Sequence, residues 1–114
     1  MKKLIYTAMS KKNFFQKWRI VKFVLGKGLV PLNPFMLYDY FLADSIDHDL
    51  VREANHAIIE KVDEVWTFGD ISDGVKREID LAKELRKPIK YFNISKLPED
   101  IREITENEII FEGD

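Results

Sequence analysis

The hydrophobic positions of this chain fall into short uninterrupted runs, separated by stretches in which apolar residues recur every three or four positions. Leu4-Ile5-Tyr6-Thr7-Ala8-Met9 is a run of the first kind, expected of a strand buried on both faces. Ser10 or Asn13 can cap a helix that follows, with Phe14, Trp18, Val21 and Leu25 on one stripe and Gly26 and Gly28 at its end. Leu29-Val30-Pro31-Leu32 predicts a second strand, whose proline suits a strand end or a sheet edge. Asn33 to Leu42 is irregular and rich in rings, with a short helix expected after Pro34. Past the acidic loop Asp44 to Asp49, the residues Val51, Ala54, Ile58 and Val62 mark a helix running from near Asp49 to Lys61. Glu64 to Phe68 predicts the third strand, and a helix from Asp73 to Arg86 turns Val75, Ile79 and Ala82 inward until Lys87-Pro88 stops it. Ile89 to Phe92 is the fourth strand. Ser95 and Pro98 are expected to open a short helix carrying Leu97, Ile101 and Ile104, and Glu108 to Glu112 to form a fifth strand.

Strands alternating with helices define an α/β protein. The expected architecture is a three-layer Rossmann- or flavodoxin-like fold, with a four- to five-stranded, mainly parallel sheet and helices on both faces. At 114 residues the chain, 1–114, is expected to form a single domain. Such sheets bind ligands outside the carboxyl ends of their strands, where the winding reverses. That rule brings Tyr6 to Ser10, the loop after Leu32 and the turn from Gly69 to Glu78 to one crevice.

Charge and composition narrow the function classes. Eighteen basic residues against 20 acidic ones leave a formal charge of −2, which gives no general attraction to nucleic acid. The absence of cysteine excludes disulfides and thiolate metal sites, and fits a cytoplasmic protein. The apolar run at the amino end is too short for a signal peptide and is cut off by Lys11, Lys12 and Asn13, and no stretch is long enough to span a membrane.

The chemistry concentrates in Ser72-Asp73-Gly74-Val75-Lys76-Arg77-Glu78. A serine hydroxyl and the first N–H groups of a helix suit phosphate or another anion, and Gly74 lets a ligand approach the backbone. Glu78, four residues on, falls on nearly the same side of the helix as Gly74. From there a carboxylate can attack an anomeric carbon as a base departs, with Tyr6 across the crevice to hold it. Each residue also has a plainer role open to it: Ser72 as a helix cap, Glu78 as a solvated partner of Lys76 or Arg77, Tyr6 as core. The rings of Phe35, Tyr38, Tyr40 and Phe41 suit packing or a subunit contact as well as a base-stacking wall. His56 reads as a surface or capping group and His48 as a loop residue, so the pair does not suggest a metal site.

On these residues the chain resembles the superfamily of nucleoside 2-deoxyribosyltransferases and 2'-deoxynucleoside 5'-phosphate N-hydrolases, and looks closest to its small uncharacterised bacterial and phage members. The resemblance spans roughly residues 3 to 94. It is carried by Ile5-Tyr6, by Asp63-Glu64-Val65-Trp66-Thr67-Phe68-Gly69, and by Ser72-x-Gly74-x-x-x-Glu78 followed by Ala82 and Lys87-Pro88-Ile89. It implies that Glu78 is the nucleophile, that Tyr6 orients it, and that Ser72 contacts a 5'-phosphate. Two positions depart from the pattern. Lys76 replaces a glycine and could crowd or bind the phosphate, and Asn55 replaces the aspartate that contacts a sugar hydroxyl, with Asp49 as the fallback. Ser10 joins the expected substrate-binding set at the mouth of the crevice.

The expectation is therefore cleavage or transfer at the N-glycosidic bond of a (deoxy)nucleotide or nucleoside, with no cofactor or metal needed. The alternative is a non-catalytic nucleotide-binding or sensing module on the same fold. The resemblance also implies a homodimer or larger homo-oligomer.

Overall fold

The computed structural model describes residues 1–38 and 45–113, so Tyr40 and Phe41 lie outside the described residues. Strands β1 (Leu4–Met9), β2 (Val30–Leu32), β3 (Glu64–Phe68), β4 (Ile89–Asn93) and β5 (Arg102–Ile104) form one sheet in the order β2-β1-β3-β4-β5. The first four are parallel, and β5 runs antiparallel to β4. Helix α1 (Lys17–Gly26) covers one face, where Ile20 and Val24 meet Ile5, Trp66, Phe68 and Phe92, and the short helix α2 (Pro34–Leu37) follows β2. Helices α3 (His48–Lys61) and α4 (Asp73–Glu84) cover the other, packing Ile59, Val62, Val75, Ile79 and Ala82 on Tyr6, Ala8, Val65 and Tyr91. Side chains alternate between the two clusters along β1 and β3, as a strand buried on both faces requires. Among the described residues, no helix is long and apolar enough to cross a membrane.

Local chemistry explains the boundaries. Pro31 is accommodated because β2 is an edge strand. Asp63 accepts a hydrogen bond from the Leu4 N–H at 2.7 Å, tying the start of β1 to that of β3. Lys87 donates its ammonium to the carbonyls of Glu60 at 3.1 Å and Val62 at 2.8 Å, closing the carboxyl end of α3. Gly69 begins the turn after β3 at φ +84, and a Cβ there would lie 2.8 Å from Asn13 Nδ2. Only glycine meets both demands.

Three expectations are corrected. The chain after Ser10 forms a 3-10 helix over Lys11–Gln16 before α1 begins. That change of pitch rotates the following helix, so Ile20 and Val24 are buried while Trp18 and Leu25 are 51% and 57% exposed. The stripe Phe14, Trp18, Val21 and Leu25 therefore does not face the core. The segment after Ser95 forms turns and then β5, so Ile104 belongs to a strand and not to a helix. Glu108 to Glu112 is not a fifth strand: Glu106–Glu108 is a 3-10 turn, and only Phe111 bridges to Ile71. Around that bridge Ile71 N donates to Ile110 O at 2.7 Å and Glu112 N donates to Ile71 O at 2.8 Å.

Candidate active site

β1 and β3 lie side by side where the sheet reverses its winding, and β3 runs through its turn into the start of α4. Ser72 is the N-cap of α4, accepting from Val75 N at 3.2 Å. Gly74 follows on the first turn. A Cβ built there meets nothing nearer than Ser72 Oγ at 3.9 Å, and its φ is not positive, so the fold itself makes no demand for glycine. The bare backbone is open to whatever occupies the space.

One turn further along α4, Glu78 is only 9% exposed. The helical period that turns Val75, Ile79 and Ala82 into the core carries Glu78 to the same side, above β1. There the fully buried Tyr6 donates its hydroxyl to Glu78 Oε2. Burial raises the Glu78 carboxyl to about 7, because an apolar surrounding disfavours its charge, while the hydrogen bond from Tyr6 opposes that rise. The same burial, reinforced by the negative charge of Glu78, lifts the Tyr6 hydroxyl well above the usual tyrosine range. Tyr6 is thus the proton donor in the pair.

Glu78 forms part of the wall of a cavity of about 290 Å³. Ser72, Gly74, Val75 and Arg77 contribute from α4, and Val51, Arg52, Asn55 and His56 from α3. Met9, Pro34, Phe35 and Tyr38 give it an apolar side, and Lys11 and His48 complete the lining. Among the described lining residues Glu78 is the only carboxylate, against the cations Lys11, Arg77 and Arg52, the last paired with Asp49. The described lining therefore carries more basic than acidic groups although the chain as a whole is acidic.

The structure brings together Tyr6, Glu78, Ser72, Gly74 and Asn55 from the residues singled out in the sequence. It places three others elsewhere. Ser10 is buried and accepts from Lys12 N at 3.4 Å, outside the cavity wall. Asp49 is exposed, paired with Arg52 at 2.8 Å, and does not line the cavity. Lys76 points away and pairs with Asp80 at 2.9 Å, leaving the turn after Ser72 uncrowded. The lining cation on this helix is its neighbour Arg77, three residues after Gly74 and so on the same face; that spacing was the available signal. His56 is also a lining residue, and its polar neighbours gave no hint of it.

A family model described as a domain of unknown function, DUF7768, matches residues 5–92, most of the chain. The chain belongs to the DUF7768 family. The matched stretch of this DUF7768 domain runs from β1 to β4 and contains Tyr6, Asn55, Ser72, Gly74 and Glu78. No curated protein matches the chain. Among solved structures, the fold is similar to that of a 2-desoxiribosyltransferase from Leishmania mexicana, with a TM-score of 0.58 at 23% identity. The alignment covers 80% of this chain and 64% of that one, so this DUF7768 domain spans a little under two thirds of the other protein's length. The likeness is one of fold: a mainly parallel five-stranded sheet with helices on both faces.

Proposed function

We propose that this DUF7768 domain cleaves the N-glycosidic bond of a (deoxy)nucleotide or nucleoside, or transfers its sugar, with Glu78 as the nucleophile. The observation that carries the reading is the buried hydrogen bond from Tyr6 to Glu78 at the wall of a cavity. A carboxylate shut into apolar surroundings has no structural use for its charge, yet it is well placed to attack a carbon that becomes cationic as the base leaves. Tyr6 fixes one oxygen, leaving the other for the anomeric carbon. The C–N bond breaks as the ester to Glu78 forms, and water or a second base then releases the sugar. With a carboxyl near 7, the attacking form is abundant at neutral pH and above.

Ser72, the open backbone at Gly74 and the Arg77 guanidinium favour a nucleotide over a bare nucleoside, since all three suit a phosphate. Asn55, on the α3 side, is the group to meet a sugar hydroxyl. The exposed side chains of Met36, Leu37, Ile46 and Leu50, near the elements that line the cavity, support self-association. The likeness to a deoxyribosyltransferase fold agrees with this chemistry, and we place the protein in the cytoplasm.

Incubation with a panel of 2'-deoxynucleotides and nucleosides, followed by chromatography of free base, tests the proposal. Release by the wild-type protein that disappears in Glu78→Ala supports it. A wild type that binds members of the panel and releases no base from any would assign the cavity to sensing instead.

A further inference from the structure

The α3 side of the cavity carries two polar atoms that the fold leaves unsatisfied. Asn55 Oδ1 and His56 Nε2 are both closed off from solvent and have no hydrogen-bond partner among the described residues, although both residues line the cavity. Buried polar groups are nearly always paired, and an orphan destabilises the fold that holds it. Nothing in α3 itself calls for them. Asp47 caps its start, and Ile59 and Val62 anchor its far end in the core. The arrangement becomes reasonable once a ligand supplies the missing partners.

The proposed reaction gives Asn55 a partner in the sugar but leaves His56 without one, and it leaves one need unmet. When a nucleobase departs, the electron pair of the broken bond collects on its ring, and a proton must arrive there. His56 stands on the same helix face as Val51 and Arg52 and shares the cavity wall with Phe35 and Tyr38, whose rings suit a planar heterocycle. No hydrogen bond among the described residues holds its Nε2, so a turn about Cβ–Cγ that brings this atom to a ligand breaks none there.

We infer that His56 protonates the departing base, a role that rests on the glycosidic reading of Glu78. As Glu78 bonds to the anomeric carbon and the C–N bond breaks, the electron pair moves into the base and takes the Nε2 proton of the His56 imidazolium. The neutral imidazole recovers a proton from the water that hydrolyses the glycosyl ester, or from the incoming base in a transfer.

Leaving-group dependence tests this. A 4-nitrophenyl 2-deoxyriboside 5-phosphate releases nitrophenolate, which departs without a proton. His56→Gln should lower kcat on a natural deoxynucleotide by about 100-fold or more while changing it by less than about threefold on the nitrophenyl substrate. Retained nitrophenyl cleavage also shows that the variant is folded, and the smaller His56→Asn gives a second case. Glu78→Ala should be silent on both substrates. Equal losses on the two substrates in a folded His56 variant, or no loss on the natural one, overturn the role of His56 and leave Glu78 standing. A wild type that cleaves neither removes the reading of Glu78, and that of His56 with it.

Discussion

Replacing Glu78 by glutamine should stabilise the domain at alkaline pH while removing its activity. Burial lifts the Glu78 carboxyl from 4.5 to about 7, so the native protein keeps a proton that the unfolded chain has already released. The stability that accompanies this proton is complete below pH 4.5, declines as the pH rises, and is gone above about 7. At about 1.4 kcal/mol for each pH unit between those values, the ionised native state is weakened by about 3 kcal/mol at pH 8.5. Glutamine keeps an oxygen for the Tyr6 hydroxyl and carries no charge, so it escapes the penalty. Urea unfolding followed by tryptophan fluorescence at pH 5 and pH 8.5 measures it, taking variant minus wild type at each pH so that other groups cancel. The variant's advantage should grow from less than about 1 kcal/mol at pH 5 to about 3 kcal/mol at pH 8.5. The second figure corresponds to roughly 10 °C or more in Tm for a domain of this size. An advantage equal at both pH values, or a wild type that is the more stable at pH 8.5, refutes the argument. Release of nitrophenolate, which needs no acid, should vary in the opposite sense, with wild-type kcat rising with pH through about 7 as the nucleophile ionises.

Gly74→Ala should leave stability unchanged or raise it by up to about 1 kcal/mol, because the added methyl meets only Ser72 Oγ at 3.9 Å and alanine is the better helix former. The same change should weaken nucleotide binding, measured by calorimetry, since the methyl occupies the ligand's space. Lys76→Ala, which breaks an exposed pair with Asp80, should leave nucleotide affinity within about twofold. Arg77→Ala should weaken a nucleotide about tenfold or more and a nucleoside little, since charged hydrogen bonds contribute about 1.5–3 kcal/mol. Equal effects of Lys76→Ala and Arg77→Ala would contradict the placement of these side chains.

The parts of this fold that were legible in the sequence are those whose pattern is local. Glu64 to Phe68 reads as a strand because five residues carry the signal, and Val75, Ile79 and Ala82 read as the inner face of α4 because nothing disturbs the period. Where pitch or pairing depends on distant residues the pattern misleads. The 3-10 helix over Lys11–Gln16 shifted the face of α1, and β5 exists because β4 offers an edge, not because Arg102-Glu103-Ile104 has strong strand character. The site divides in the same way. The spacing from Ser72 to Glu78 placed both on α4 in advance, and the family resemblance paired Glu78 with Tyr6. Spacing from Gly74 favoured Arg77 over Lys76 as the lining cation, but only the packing of α4 on the sheet shows which face of the helix meets the cavity. His56 was hidden for a related reason. A histidine among charged neighbours looks solvated, and only the packing of α3 against the cavity closes off its Nε2.

The double hydrogen bond between Ile71 and the segment from Ile110 to Glu112 fastens the site from outside the family core, because the matched stretch ends at residue 92. Ser72 follows Ile71 directly, so the position of the turn we propose to bind an anion is referenced to a tail outside the matched stretch. Lys12 adds a second tether, reaching Asp70 at 3.3 Å and Glu112 at 3.7 Å. The residues of the proposed reaction and those that tether the turn can therefore change separately. Relatives that share Tyr6, Ser72 and Glu78 but carry different tails would be the same instrument strung to a different pitch, with ligand affinity adjustable from an isolated bridge outside the cavity wall.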